Sequence, residues 1–308
     1  MKFAKSIRFT NDAVRKEVHI MKGIFTALLT PFNADYSINT DSLSKLVEFN
    51  LQKGIRGFYV GGSTGESMLM TSAERIKVFG TVKAAAGSRA ELIAHVGAIS
   101  TDEAIGMAKA AEALGYDAIS AVAPFYYGFS GEAIKKYYAD IVSSVRLPMF
   151  VYNFPASGGA AFTPEFAADM FRDERFIGIK HTSGNLFDLQ QFKQVIGRDI
   201  TVFNGYDEIC LGGLSMGADG AIGSTYNFMG SKFIELYNAF NSGELEKAQR
   251  LQSEANEIIS VLIKYGVFAG EKAILTHLGI DMGPCRRPFL PITPEGDAAM
   301  KKIAGCLE

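Results

Sequence analysis

Short apolar runs alternate along the chain with segments whose apolar residues recur at helical spacing. Residues 24–29 and 57–60 are mostly apolar runs of the kind that forms buried parallel strands. Residues 40–53 instead place Leu43, Leu46, Val47 and Leu51 on one face of a helix. Strands recur roughly every 18 to 35 residues, which is the spacing of βα units. The predicted strands are 24–29, 57–60, 92–96, 118–122, 149–152, 176–180, 201–203 and 220–222.

Eight strands that are each followed by a helix predict an α/β fold of the (β/α)8 TIM-barrel class. A doubly wound open sheet is the alternative for the same alternation. Because no strand pattern remains after about residue 230, residues 21–230 are predicted to form the barrel. Residues 231–308 are predicted to supply a barrel-closing helix and a helical C-terminal extension. The helices predicted in that last part are 233–240, 244–264, 272–278 and 294–303.

The first twenty residues differ in composition from the rest of the chain. Residues 1–20 mix basic residues with single apolar residues and contain no continuous apolar core, so they do not form a secretory signal peptide. A transit peptide is the alternative, although Asp12 and Glu17 disfavour it. We expect a loosely held extension, with the folded domain beginning at Met21.

Composition and charge exclude several classes of protein. The 308 residues are 48% hydrophobic and 21% charged, which is typical of a globular protein. A net charge of −2, with no long basic run, argues against nucleic acid or an anionic membrane as the main partner. No apolar run approaches the ~20 residues that span a bilayer. Cys210, Cys285 and Cys306 lack any CxxC spacing and are predicted to be reduced thiols of a cytoplasmic protein. The four histidines are scattered, so no metal site is predicted.

The apolar strand at 176–180 ends on a lysine, Lys180. Since side chains alternate along a strand, Lys180 and Thr182 should face one side and His181 the other. Burial at the end of an apolar strand disfavours the ammonium form and lowers the pKa of a lysine. A neutral lysine is a nucleophile toward carbonyl carbon, as Schiff-base chemistry requires. The structural alternative is a lysine that ends the strand and simply reaches water.

Other polar residues follow the predicted strands, at the end of a TIM barrel where active sites are built. The glycine-rich segment 61–66 can present backbone N–H groups and hydroxyls to an anion. It has no P-loop lysine and no GxGxxG, so a carboxylate is the better ligand. Each residue also has a structural explanation, as part of a turn, a core tyrosine or a helix cap. The candidates are Ser63, Thr64, Tyr126, Tyr152, Lys180, Thr182, Asp207, Glu208 and Ser224.

Three segments resemble one known family. They are residues 61–66 (GGSTGE), 152–155 (YNFP) and 178–180 (GIK), in matching order and at matching intervals. From about Met21 onward the chain resembles the superfamily of N-acetylneuraminate lyases and dihydrodipicolinate synthases, which are Schiff-base aldolases. The resemblance implies a TIM barrel, a homotetramer, and no metal or organic cofactor.

The resemblance also implies roles for individual residues. Lys180 would form the imine with the keto carbon of pyruvate. Ser63 and Thr64 match residues that hold the pyruvate carboxylate. Tyr152 matches the proton shuttle, and Tyr126 matches the tyrosine that a neighbouring subunit contributes to the relay.

Within the superfamily, the sequence most resembles the lyase branch. Segments 180–184 (KHTSG), 204–208 (NGYDE) and 223–227 (GSTYN) have the lyase pattern. The synthase branch places an arginine at the position of Ser157 to bind a second carboxylate. The lyases usually carry an apolar residue there, which leaves the substrate preference open. The residues that match contacts to the hydroxyls of the open-chain sugar acid are Thr182, Gly205, Asp207, Glu208 and Ser224.

The expected reaction is reversible cleavage of the sialic acid N-acetylneuraminate to N-acetylmannosamine and pyruvate. One alternative is an aldolase for another 2-keto-3-deoxy sugar acid. Dihydrodipicolinate synthase is a second alternative, which Ser157 disfavours. A barrel that senses pyruvate or a sugar acid without turnover is the non-enzymatic alternative.

Overall fold

A computed structural model describes residues 21–158 and 162–307, and within them eight parallel strands close into a barrel. The predicted extension at residues 1–20 lies outside the described residues. Strands pair in chain order, and β1 also pairs with β8, which closes the sheet. The predicted TIM barrel is therefore confirmed, and the open sheet is excluded. The strands are β1 (Gly23–Ala27), β2 (Gly57–Val60), β3 (Glu91–His95), β4 (Ala118–Val122), β5 (Met149–Asn153), β6 (Phe176–His181), β7 (Thr201–Asn204) and β8 (Gly220–Gly223).

Helices connect the strands and continue after the barrel is complete. Short 3₁₀ turns at Ser67–Leu69, Pro155–Ser157 and Asp207–Ile209 follow β2, β5 and β7. The helices are α1 (Thr40–Gln52), α2 (Ser72–Ala86), α3 (Thr101–Ala113), α4 (Gly131–Ser143), α5 (Pro164–Met170), α6 (Leu186–Ile196), α7 (Cys210–Ser215), α8 (Tyr226–Asn241), α9 (Leu245–Tyr265), α10 (Val267–His277) and α11 (Pro294–Ala304). Over the part of the chain that is described, none of them is both long and apolar enough to cross a membrane.

Local sequence signals explain where several helices begin. Thr71 accepts a hydrogen bond from the backbone N–H of Glu74, whose side chain accepts one from the backbone N–H of Thr71, so α2 begins with a capping box. Thr163 caps α5, and Pro164 occupies its first position. These caps satisfy backbone donors that a helix start otherwise leaves unpaired.

Two helices begin several residues before their predicted first residues. α8 begins at Tyr226 rather than at 233, because its first turn is buried on all sides and lacks an amphipathic pattern. α10 begins at Val267 rather than at 272, directly after Gly266. After β7 the helical segment is divided into the 3₁₀ turn at 207–209 and α7.

The barrel interior forms a small apolar cluster of its own, separate from the larger core between strands and helices. Alternate strand residues point inward and fill the barrel. Burial of each large side chain stabilises the fold by about 1.5–3 kcal/mol. The result is a dry floor beneath the carboxyl ends of the strands. Its largest members include Phe25, Tyr59, Phe150, Tyr152 and Phe203.

The helical extension is joined to the glycine-rich loop by a buried ion pair. Lys272 Nζ of α10 lies 2.5 Å from Glu66 Oε1, and both side chains are almost fully buried. The second carboxylate oxygen of Glu66 accepts a hydrogen bond from the backbone N–H of Arg286 at 2.6 Å. Lys272 Nζ also donates to the carbonyl of Pro284. The loop after β2 is therefore held in place by residues more than two hundred positions later in the chain.

Candidate active site

A cavity of about 240 Å³ opens at the carboxyl ends of the strands, where the sequence placed the candidate residues. The structure brings nine of the ten named residues together around it, and Tyr126 is the exception. These nine are Ser63, Thr64, Tyr152, Lys180, Thr182, Gly205, Asp207, Glu208 and Ser224.

Lys180 extends from β6 into the floor of the cavity. Its side chain is almost fully buried, and Nζ lies 4.3 Å from the ring centroid of Tyr59 and 4.5 Å from that of Tyr152. Burial lowers the pKa of Lys180 to about 7, although the nearby Asp207 carboxylate acts in the opposite direction. About half of the amine is therefore uncharged near neutral pH. A neutral amine at the base of a pocket can attack a carbonyl carbon.

Tyr152 lies beside Lys180 because β5 and β6 pair these two residues directly. Its ring stacks on Phe154. Burial raises the pKa of Tyr152 to about 12, while the hydroxyls of Ser63 and Thr182 act to lower it. Thr182 Oγ1 nonetheless completes no hydrogen bond of ordinary geometry within residues 21–158 and 162–307. Tyr152 is therefore a neutral phenol at physiological pH, and two hydroxyl groups lie close to it.

His181 lies on the opposite side of β6, as strand alternation predicts. Its Nε2 contacts the backbone carbonyl of Asn185 and its Nδ1 contacts Nδ2 of Asn153, both at 3.0 Å. The carbonyl must accept and the amide must donate, so His181 is the neutral tautomer with its proton on Nε2. The ring packs against Phe192 of α6. His181 therefore supports the strand from outside the barrel and does not reach the cavity.

The loop at residues 61–66 is fixed from below and presents Ser63 and Thr64 to the cavity. Gly61 has a φ of +70°, which only glycine adopts without strain. Its carbonyl lies 3.0 Å from His95 Nδ1, and the carbonyl of Gly65 accepts from Thr30 Oγ1 at 2.9 Å. These contacts fix the loop so that the hydroxyls of Ser63 and Thr64 lie at the edge of the cavity, where they can contact an anionic ligand.

His95 is a neutral imidazole below the floor of the site. Its Nε2 accepts a hydrogen bond from the backbone N–H of Val122, so the proton lies on Nδ1 and is donated to the carbonyl of Gly61. Burial and the neighbouring Arg75 guanidinium hold the pKa of His95 well below its usual value. Its ring also meets Tyr59 and Tyr152 at 5.8 Å between centroids. His95 thus links the anion-facing loop to the residues around Lys180.

The opposite wall of the cavity is acidic and begins at the end of β7. Asp207 Oδ2 accepts from the backbone N–H and from Oγ1 of Thr225, at 2.8 and 2.6 Å. Burial raises the pKa of Asp207 to about 6. Gln252 and Asn256 of α9 donate to the backbone carbonyls of Asp207 and Glu208. The turn that carries both acids is therefore held rigidly by a helix of the extension.

Gly205 is required by the close approach of two segments. A Cβ atom at this position would lie 1.9 Å from Thr182 Oγ1 and 2.8 Å from Thr182 Cα. Any larger residue would therefore displace the backbone or the threonine. Thr182 and the loop after β7 can share one edge of the cavity only because Gly205 has no side chain.

Tyr126 and Ser157 lie apart from the cavity of this chain. The Tyr126 side chain is 83% exposed, has a φ of +78°, and packs edge-on against Tyr127. Its contribution to a neighbouring subunit therefore stays a prediction. Ser157 Oγ donates to the backbone carbonyl of Phe154 at 2.7 Å. No arginine is found among the described residues that line the cavity.

The sequence did not identify the wall that the helical extension contributes. Apolar side chains of α9 and α10 line one side of the cavity, and a buried acid, Glu271, lies 2.6 Å from Ser224 Oγ. No local pattern marks these residues, because they are ordinary helix positions until α10 packs over the barrel. The apolar wall consists of Ile259, Leu262, Ile263, Val267 and Phe268.

Known proteins resemble this chain in both amino-acid sequence and three-dimensional structure. The model of the dihydrodipicolinate synthetase family matches residues 20–306. An N-acetylneuraminate lyase of Rhizobium meliloti (strain 1021) is 45% identical over 282 residues, which cover 92% of this chain and 94% of that protein.

Solved structures agree with the sequence comparisons. The CdNal protein of Clostridium difficile, crystallised in complex with mannosamine, superposes with a TM-score of 0.91 and 33% identity, covering 94% of this chain and 99% of that one. A catalytic lysine mutant of the Ruminococcus gnavus sialic acid aldolase superposes with a TM-score of 0.89 and 31% identity, covering 93% of this chain and 95% of that one. The resemblance found in the three sequence segments is thereby confirmed. The chain belongs to the dihydrodipicolinate synthetase family.

Proposed function

We propose that the protein is an N-acetylneuraminate lyase, which reversibly cleaves the open-chain sugar acid to N-acetylmannosamine and pyruvate through an imine on Lys180. The observation that carries this proposal is the buried, partly neutral Lys180 amine at the floor of a cavity rimmed by hydroxyls and acids. The lyase and the sialic acid aldolase among the relatives support the choice of substrate.

The first step is formation of the imine. The Lys180 amine attacks the keto carbon of the substrate, and loss of water leaves a protonated imine. Ser63 and Thr64 would hold the adjacent carboxylate, since both line the cavity at the edge of the glycine-rich loop. The iminium then accepts the electron pair of the breaking carbon–carbon bond, which gives an enamine of pyruvate. Protonation of the enamine and hydrolysis release pyruvate and restore the amine.

Cleavage also requires that the C4 hydroxyl lose its proton. A phenol whose pKa is about 12 is a poor base by itself, so Tyr152 must pass its own proton on as it receives one. Ser63 is near enough to Tyr152 to take part in such a relay. We propose a homotetramer in which Tyr126, exposed on one subunit, completes the relay of its neighbour.

The acidic wall would bind the hydroxyl groups of the sugar chain. Thr182, Asp207, Glu208 and Ser224 provide donors and acceptors for a polyol, and Gly205 lines the same wall, where its lack of a side chain gives Thr182 its position. A site built to bind hydroxyls rejects analogues that lack them. We propose that the enzyme acts in the cytoplasm, since Cys210, Cys285 and Cys306 are free thiols.

The alternative substrates can be separated with one coupled assay. Pyruvate release, followed with lactate dehydrogenase, should be greatest with N-acetylneuraminate and lower with N-glycolylneuraminate and 2-keto-3-deoxygluconate. Lys180→Ala should abolish release from all three. Greater release from 2-keto-3-deoxygluconate would favour another sugar-acid aldolase, and binding without any release would favour the sensing alternative. Dihydrodipicolinate synthase is disfavoured because Ser157 is bonded to its own turn and offers no guanidinium.

A further inference from the structure

The proposed function leaves one buried acid next to the cavity without a role. Glu271 of α10 is fully buried and does not itself line the cavity. Its Oε1 lies 2.6 Å from Oγ of Ser224, which does line it. Its Oε2 has no hydrogen-bond partner among the residues that the structure describes. Among the described residues, Glu271 is therefore hydrogen-bonded to the site through Ser224.

Within residues 21–158 and 162–307, the groups packed around Glu271 offer it no compensating positive charge. Lys272, the next residue on α10, forms an ion pair with Glu66 at 2.5 Å and donates a hydrogen bond to the carbonyl of Pro284. Asp207 faces Glu271 from the end of β7 and is itself an acid. Cys285 faces it from the segment after α10, and burial raises the pKa of that thiol to about 12, so it carries no charge either.

Two protonation states of Glu271 can be compared from this geometry. A carboxylate would leave one anionic oxygen buried without a partner, which is costly. A neutral acid needs only one partner for its O–H, and 2.6 Å to Ser224 Oγ is an ordinary distance for such a bond. The unpartnered Oε2 is then a carbonyl oxygen, which is far less costly to leave alone. Burial and the Asp207 carboxylate raise the pKa of Glu271 to about 8, in agreement with the neutral form.

We infer that Glu271 is a positioning residue whose protonated carboxyl donates to Ser224 and so directs the Ser224 hydroxyl hydrogen into the cavity. Ser224 would then act as a donor toward an acceptor oxygen of the substrate, such as a sugar hydroxyl or an acetamido carbonyl. Loss of the Glu271 proton reverses the bond, because Ser224 must then donate to the carboxylate. Ser224 would present only lone pairs to the substrate. This inference rests on the proposed function for its substrate.

The pH dependence of KM tests the inference. For the wild type with N-acetylneuraminate, KM should rise about tenfold between pH 7 and pH 9.5, the typical effect of losing one hydrogen-bond donor. In Glu271→Gln the amide can donate at every pH, so KM should stay low and flat over this range. In Glu271→Leu, KM should be about tenfold higher already at pH 7, with kcat changed much less. If KM of Glu271→Gln rose between pH 7 and pH 9.5 as much as KM of the wild type, the inference would be overturned.

Ser224→Ala tests whether the effect passes through the serine. It should raise KM about tenfold, and adding Glu271→Leu to it should raise KM no further. Independent, multiplicative effects of the two substitutions would contradict the inference. Should Glu271→Leu fail to fold, the comparison of Glu271→Gln with the wild type still decides.

An infrared titration separates this inference from the proposed function. Between pH 7.5 and pH 9.5, a range that lies above the pKa of about 6 of Asp207, the wild type should lose the C=O band of a protonated carboxyl group, and Glu271→Gln should lack that change. Asp207→Asn should retain the band. A wild type that shows no such band contradicts the role of Glu271 even if the lyase is active. A wild type that shows the band but does not cleave N-acetylneuraminate contradicts the proposed function alone.

Discussion

The titration of Lys180 should show directly how far burial lowers the pKa of its amine. Nζ lies 4.3 Å from the ring centroid of Tyr59, and burial lowers the pKa of Lys180 from 10.5 to about 7. An ordinary lysine at pH 7 is neutral in roughly one molecule in three thousand, whereas Lys180 would be neutral in about half. The site therefore raises the population of the nucleophile by roughly a thousandfold.

Competitive labelling with acetic anhydride measures this population. Folded protein and free Nα-acetyl-lysine are labelled together at each pH, and the Lys180 peptide is quantified by mass spectrometry. Labelling of Lys180 should rise about tenfold per pH unit up to about pH 7 and then level off, while the free lysine continues to rise. Asp207→Asn should move the midpoint to lower pH, because the Asp207 carboxylate raises the pKa of Lys180.

Two controls define the site, and two results would refute the reasoning. Prior incubation with pyruvate should protect Lys180, and Lys180→Ala should remove the labelled peptide altogether. A midpoint above about pH 9 would show that burial does not control this amine. A labelling midpoint that moves to higher pH in Asp207→Asn would contradict the conclusion that the Asp207 carboxylate raises the pKa of Lys180.

Gly205→Ala should reduce kcat/KM about 100-fold in the coupled assay, because the new Cβ would displace Thr182, whose Oγ1 lies 1.9 Å from its position. Lys180→Met should stabilise the fold by up to about 5 kcal/mol at or below pH 7, measured by urea unfolding, since the buried ammonium costs about 1.4 kcal/mol per unit by which the pKa falls below 10.5. This gain should shrink as the pH rises from 7 toward 10.5, because the lysine is then neutral in the folded protein and loses its charge in the unfolded chain as well. Lys272→Met should destabilise the fold by about 3–5 kcal/mol, because it leaves Glu66 buried and unpaired.

The chain offers a matched control for two of these substitutions. Gly184→Ala meets no atom within 4 Å and should leave kcat/KM close to the wild-type value. Lys247→Met removes an exposed pair with Glu235 at 2.9 Å and should leave the stability of the fold close to that of the wild type. Equal losses in the two glycine variants, or in the two methionine variants, would contradict the structural explanation. A Lys180→Met protein that is less stable than the wild type at pH 6 would contradict the assigned cost of the amine.

The barrel could be predicted from sequence because its signals are local. β2 and β4 occupy the predicted residues, since a short apolar run between turns has few other structures available. Alternation along β6 placed Lys180 and Thr182 on one side for the same reason. The rim residues could be grouped because the carboxyl ends of all strands in a TIM barrel lie on one face.

The parts that could not be predicted depend on contacts between distant segments. The first turn of α8 contains Tyr226 and Met229 on buried surfaces, so no polar face marks it as a helix. A glutamate such as Glu271 is usually found at an exposed position of a helix. Only the packing of α10 over the barrel buries it beside Ser224. Its raised pKa follows from that burial and from Asp207, which is 64 positions earlier in the chain.

Borohydride trapping during turnover of N-acetylneuraminate tests the central claim most directly. The protein is treated with the sugar acid and borohydride, with no pyruvate added, and its peptides are analysed by mass spectrometry. The account predicts a pyruvyl adduct on Lys180 alone, together with free N-acetylmannosamine, and no adduct in Lys180→Ala. Pyruvate release with no adduct, or with the adduct on another lysine, would contradict it.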